Sequence, residues 1–410
     1  MDGLGLIAFF TAVCAVFSYI NTRYIKLPPT IGLMIMALIV SIAILIEGRI
    51  NGVFHEKMIE IVKQINLSET LLNIMLSFML FAGSIHVSSL QLKKQRTAVI
   101  TLSTLGVAIS TFIFGSIIYY VFSAFNHSVD YLYCLVFGAL ISPTDPIAVL
   151  GIIKNTNIPR ETEIVISGES LFNDGIGVVV FLTLMEVVRG GVENLNAASV
   201  GMLFLQEVIG GLTLGLVIGY LAHLLIKNIE HYQTEVLLTL ALVMVCDEVA
   251  GLIHVSAPLA VVVAGLFFGN RVSHSDMSKI SRDYSNKFWE LIDEFLNAFL
   301  FVMIGLQLIN MPYLLTYLPI GLLAIITLLL ARWISVIIPI SFLKDKQLYN
   351  HKTAAIVTWG GLRGGLSVAL ALSLPENEYK ELIISITYII VVFSIIVQGL
   401  TTEKLVKKFF

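Results

Sequence analysis

Long apolar runs recur along the whole chain, separated by short polar stretches, and thirteen of them read as membrane spans. They cover roughly residues 3–20, 30–47, 69–90, 97–123, 131–153, 162–188, 201–226, 235–252, 257–269, 289–310, 313–342, 351–374 and 381–403. A helix of about 20 apolar residues crosses the hydrocarbon core of a bilayer. The ninth run is short and fits a tilted or partly re-entrant segment. The polar stretch from Ser273 to Asn286 reads as a surface connector into the tenth span. No basic region or small-residue cleavage site marks the first run as a signal peptide, so it reads as a retained span. No Pro-rich, Ser-rich or acidic linker divides the chain. Residues 1–410 are expected to form one integral membrane domain without a soluble regulatory module.

Composition agrees. Hydrophobic residues make up 57% of the chain and charged ones 13%, against about 25% charge in ordinary soluble domains. The net charge of −3 says less than where the charges sit. Loops on one side hold 18 of the 25 basic residues and loops on the other hold 5, with Arg332 and Arg363 inside spans. The positive-inside rule then puts the N-terminus outside and the C-terminus in the cytoplasm of a cell (plasma or inner) membrane. Basic residues gather on no single face, which argues against a nucleic-acid partner. Cys14, Cys134 and Cys246 all lie in apolar runs and read as small buried hydrophobes.

Two spans are built to break. The fifth carries Pro143 and Pro146 in Ser142-Pro143-Thr144-Asp145-Pro146, and the twelfth carries Gly360-Gly361-Leu362-Arg363-Gly364-Gly365. Proline removes a helix hydrogen bond and glycine loosens the helix. Bare backbone at membrane depth is tolerated only against protein or a water-filled cavity. The two breaks are seven spans apart, so they run in opposite directions. Interrupted helices in matching positions of two inverted halves point to a transporter's binding site. Spans 4–6 and 11–13 are therefore expected to form paired inverted repeats, with spans 5 and 12 crossing near the midplane.

The chemistry-bearing residues sit in and beside these breaks. Gly168-Glu169-Ser170-Leu171-Phe172-Asn173-Asp174 lies within the sixth span. A charge at the centre of a membrane helix costs roughly 2.5–3.5 kcal/mol, so Asp145, Glu169, Asp174 and Arg363 each call for an explanation. Ser170 and Asp174, four residues apart, share a helix face, while Glu169 lies about 140° around the axis from Asp174. Asp174 is expected to hold either a bare monovalent cation or a proton. Withdrawing a carboxyl from water favours its protonated form, so the two compete. Asp145 brings a second carboxylate, and Ser170 and Thr144 bring the neutral oxygens that hard cations favour. Asn173 adds an amide beside Asp174. Glu169 is expected to pair with Arg363, because a buried arginine keeps its proton and needs a counter-charge. The competing reading of Asp174 and Asp145 is a helix-packing hydrogen bond, of Asn173 interhelical glue, and of the glycines close packing alone. Asp247 and Glu248 read as lining a vestibule or partnering Arg332. No nucleophile–base pair or metal motif suggests an enzyme.

With these three motifs in order, the chain resembles the NhaP-type sodium/proton antiporters, relatives of the eukaryotic sodium/hydrogen exchangers. Val255-Ser256-Ala257-Pro258-Leu259-Ala260 adds to the likeness. The resemblance implies an all-α polytopic NhaA-like fold of thirteen helices and a homodimer in the bilayer. It also implies a moving core (about 97–188 and 313–403) against a dimerisation scaffold (about 3–90 and 201–310). The family's ion-binding aspartates match Asp174 and Asp145, its serine ligand Ser170, its Asn-Asp pair Asn173-Asp174 and its Glu–Arg pair Glu169 and Arg363. It implies no cofactor beyond the transported Na⁺ or Li⁺ and H⁺, and the Asn-Asp pair goes with electroneutral one-for-one exchange. Some members carry a glutamate in a Leu-Phe-Glu-Gly stretch of the third span, where this chain has Leu80-Phe81-Ala82-Gly83. A K⁺/H⁺ antiporter is the close alternative reading, and a cation channel or sensor the reading from another class.

Overall fold

The computed structural model describes residues 3–50, 52–64, 67–145, 158–190, 197–227, 229–272, 277–343 and 351–409. In chain order the main helices are α1 (Leu4–Ile25), α2 (Pro29–Gly48), α3 (Val53–Gln64), α4 (Leu76–Ile85), α5 (Arg96–Ala124) and α6 (Tyr131–Ile141). There follow α7 (Arg160–Gly190), α8 (Ala197–Ile226), α9 (Tyr232–Leu252), α10 (Ala257–Val272) and α11 (Lys279–Gln307). Then come α12 (Leu318–Phe342), α13 (His351–Trp359), α14 (Gly365–Leu372) and α15 (Lys380–Phe409). Eight of these helices are long and apolar enough to cross a membrane, and α4, α6 and α10 are shorter apolar ones.

Local chemistry sets the helix starts. Pro29 opens α2, where its missing N–H costs nothing. The Asp130 carboxylate caps α6 by accepting from Leu132 N at 3.0 Å. Ser256 caps α10 through Leu259 N. Ser278 accepts from Ser281 N at 3.1 Å, and from there α11 runs unbroken to Gln307. The expected polar connector from Ser273 to Asn286 is therefore helical from Lys279 onward. Its Ser281 and Ser285 are buried while Lys279 and Asp283 are exposed, a one-sided pattern that a mean of polarity hides. The amphipathic α3, with Met58 and Val62 buried, was likewise unexpected in a stretch that reads as loop.

Two groups of packed helices flank the breaks. In one, α5 packs on α6 and α12, and α7 on α6. A Cβ at Gly138 of α6 would stand 2.4 Å from Thr111 O, so only glycine permits this α5–α6 approach. In the other, α11 packs along α2 and α4, and α10 along α8 and α4. Between them the two interruptions meet. α6 stops at Ile141, and α13 and α14 are separated by residues 360–364. Asp145 N donates to Leu362 O at 2.8 Å, an antiparallel bridge that joins the breaks. The expected breaks of the fifth and twelfth spans meet at this bridge. Pro146 and the rest of the expected fifth span lie outside the described residues.

Candidate functional site

Proline in the fifth span and glycines in the twelfth release backbone groups, and each break answers the other's. Arg363, 1% exposed, donates through Nη1 to Ser142 O and to Pro143 O (2.9 Å for the latter). A guanidinium at the C-terminal end of α6 meets the negative end of its dipole. Arg363 N donates to Ser394 Oγ at 2.8 Å, and Ser394 Oγ donates to Gln398 Oε1 at 2.7 Å. On the other side, a Cβ at Gly364 would stand 2.7 Å from Asp145 Oδ2. The absence of a side chain there lets the Asp145 carboxyl lie against the start of α14, where a helix favours negative charge.

Asp145 and Asp174 converge on one cavity of about 90 Å³, with Thr144, Pro143, Gly364 and Ser367 also on its wall. Asp174 is half-buried and makes no hydrogen bond or ion pair among the described residues. The Ser170 hydroxyl donates to Thr144 O, and Thr144 Oγ1 lies 3.3 Å from Ser170 Oγ. These neutral oxygens of the expected site are thus joined to one another immediately behind the aspartates.

Asn173 takes the place of the competing reading, interhelical glue, and not a place on the cavity wall. Its Nδ2 donates to Thr144 Oγ1 (2.7 Å) and Glu169 Oε1 (3.0 Å), and its Oδ1 accepts from Thr144 N (3.2 Å). Both ends of the amide are occupied, and the residue does not line the cavity. It braces the broken backbone of the Thr144 region against α7.

The expected Glu169–Arg363 pair is corrected. Glu169 is held by Arg332 of α12, with Nη1–Oε1 and Nη2–Oε2 both at 2.7 Å. The fork of a guanidinium matches a carboxylate in this bidentate geometry. Arg363 makes no hydrogen bond to Glu169 and donates to backbone carbonyls instead. Asp247 and Glu248 accordingly do not partner Arg332. With Glu186 and Glu207 they line a separate cavity of about 930 Å³, where Ser77 donates to Asp247.

A transmembrane sodium/hydrogen exchanger family model matches residues 9–408. The chain belongs to the sodium/hydrogen exchanger family. It is 44% identical to the Na(+)/H(+) antiporter NhaP of Pseudomonas aeruginosa over 412 residues, covering 99% of this chain and 97% of that one. The Na(+)/H(+) antiporter NhaH of Halobacillus dabanensis is 34% identical, over 90% of this chain and 91% of its own. Among solved structures, the sodium proton antiporter MjNhaP1 from Methanocaldococcus jannaschii matches with a TM-score of 0.79. That match spans 100% of this chain and 99% of the other at 20% identity, and it speaks to the fold alone.

Within this exchanger-family chain one site residue escaped the sequence. Asp293 of α11 lies on the wall of the same 90 Å³ cavity as Asp145 and Asp174. Its only forerunner in the sequence was an acid at the start of an apolar run, four residues before Asn297. The Arg332 pairing also escaped. Its residue was visible as a cation inside a span, but nothing in the sequence chose its partner.

Proposed function

We propose that this multi-pass membrane protein exchanges Na⁺ or Li⁺ for H⁺ by alternating access. Asp174 holds whichever cation is aboard, and Asp145 shares the charge. The observation that carries this reading is the convergence of Asp145 and Asp174 on one small cavity beside two crossed helix breaks. A sodium ion stripped of water needs carboxylate and neutral oxygens together. Thr144 and Ser170 stand behind the pair and become ligands once their mutual hydrogen bond opens. The names of the relatives at 44% and 34% identity support Na⁺ and H⁺ as the exchanged ions.

Exchange is one-for-one and electroneutral, because one titrating carboxyl trades one monovalent charge for another. The core segments, 97–188 and 313–403, move against the scaffold segments, 3–90 and 201–310, and the protein works as a homodimer. The basic loops put the C-terminus in the cytoplasm of the plasma membrane.

The test uses purified protein in proteoliposomes with a trapped pH dye. Addition of NaCl or LiCl should dissipate a pH gradient, and Asp174→Asn should abolish the response. A variant at Asp174 that still moved protons with sodium would overturn the assignment, and a response to KCl alone would make potassium the substrate. Clamping the potential with valinomycin and K⁺ should leave the rate unchanged at fixed ion gradients. A rate that followed the potential would rule out electroneutral exchange.

A further inference from the structure

The cavity holds more anionic groups than one exchanging cation accounts for. Asp145 and Asp174 come from the broken-helix side, and Asp293 enters from α11. Asp293 is half-buried, and Asn297 Nδ2 donates to its Oδ1 at 3.0 Å and to its backbone oxygen at 2.8 Å. The amide engages one carboxylate oxygen, and no hydrogen bond to the other occurs among the described residues. No lysine, arginine or histidine lines this wall among the described residues, and none pairs with Asp293.

A second, independent feature lies on the same wall. The Ser367 hydroxyl of α14 is 1% exposed and has no hydrogen-bond partner, although it lines the cavity. A buried hydroxyl without a partner is destabilising, and an incoming ligand with polar character removes that cost. Ionisable groups at membrane depth that face a cavity mark ion pathways. A hydroxyl oxygen beside carboxylates is the donor set that a hard monovalent cation takes.

We propose that Asp293 and Ser367, together with Asp145, form a second sodium station, where the cation lodges before it reaches Asp174. This rests on the sodium/proton exchange argued above. Because α11 packs chiefly along α2 and α4 and touches the broken helices only at α14, the station joins the two groups. It holds the ion only while the two groups stand as they do here. Its effect is to raise the sodium available to Asp174, so it sets apparent affinity and not the turnover of the loaded carrier.

The experiment measures exchange rate against sodium concentration in proteoliposomes for wild type, Asp293→Asn, Asp293→Glu, Ser367→Ala and Asp174→Asn. Asparagine keeps the size of the side chain and its contact with Asn297 while removing the charge. The expected result is a several-fold higher KM for Na⁺ in Asp293→Asn, a maximal rate close to wild type, and restoration by Asp293→Glu. Ser367→Ala should shift KM in the same direction by less. A purely structural role would lower the maximal rate and leave KM in place. An unchanged KM, or a collapsed maximal rate without a change in KM, overturns the proposal. If Asp293→Asn does not fold, the KM of Ser367→Ala decides in the same two directions. If wild type shows no sodium-coupled proton movement, or Asp174→Asn remains active, the exchange reading has failed instead.

Discussion

Replacing Glu169 should cost this protein heavily, because among the described residues Glu169 is the one carboxylate paired with Arg332. The pair is 2% and 4% exposed at its side chains and is bidentate at 2.7 Å on both arms. Removing one partner of such a pair strands a buried charge, at a cost of about 3–5 kcal/mol. Glu169→Gln also weakens the acceptor that Asn173 uses at 3.0 Å. For cooperative unfolding of 410 residues the transition entropy is about 0.9 kcal/mol/K. The loss then corresponds to a fall of about 3–6 °C in Tm. Arg332→Met should fall by a similar amount. The double variant should recover most of it, since two buried charges replaced together are nearly neutral. The assay is thermal unfolding of purified protein in detergent, read by intrinsic fluorescence, as two double-mutant cycles. One cycle couples position 169 with 332 and the other couples 169 with 363, using Arg363→Met. Coupling of about 2–3 kcal/mol is expected in the first and much less in the second. Stronger coupling between 169 and 363 would refute the pairing.

Two further substitutions probe the breaks. Asn173→Asp removes the amide donor to Thr144 and Glu169 and sets a carboxylate near Glu169. It should cost about 1–3 kcal/mol, and a Tm equal to wild type would show that the amide is not the brace. Gly364→Ala forces a methyl to within 2.7 Å of Asp145 Oδ2. Transport in the dye assay should fall severely while the protein still elutes as folded material. Near-normal exchange would mean that Asp145 need not lie against α14.

What could be read from the chain and what could not divide along physical lines. Pro143 and the glycines of 360–365 announce broken helices because their effect is on their own backbone, and the breaks stand where the residues are. The grouping of Thr144, Asp145, Ser170 and Asp174 followed from membrane depth and helical spacing, since each faces inward to avoid lipid. The arginines are different. Arg332 and Arg363 are both buried cations in apolar spans, and only the relative rotation of α7, α12 and the break decides which meets Glu169. Asp293 was hidden for another reason. It stands between Glu290 and Glu294, both exposed, so the trio reads as a solvated helix start. Only the packing of α11 shows that one of the three turns inward.

The arrangement separates charges that build the site from charges that face the cavity. Glu169 and Arg332 neutralise each other, and Arg363 is anchored through Nη1 alone to the carbonyls that the proline break exposes, its Nε and Nη2 lacking hydrogen-bond partners. Asn173 ties the two systems together through Thr144. Because these contacts include no transported ion, the crossed breaks keep their form whether the cavity is loaded or empty. That matters for an exchanger, whose site must survive the moment between releasing one passenger and taking the next. If the breaks depended on the ion for their backbone bonds, each release would partly unfold the site. A framework tied together by its own protein contacts leaves the cavity-facing carboxyls as the groups whose charge changes during exchange.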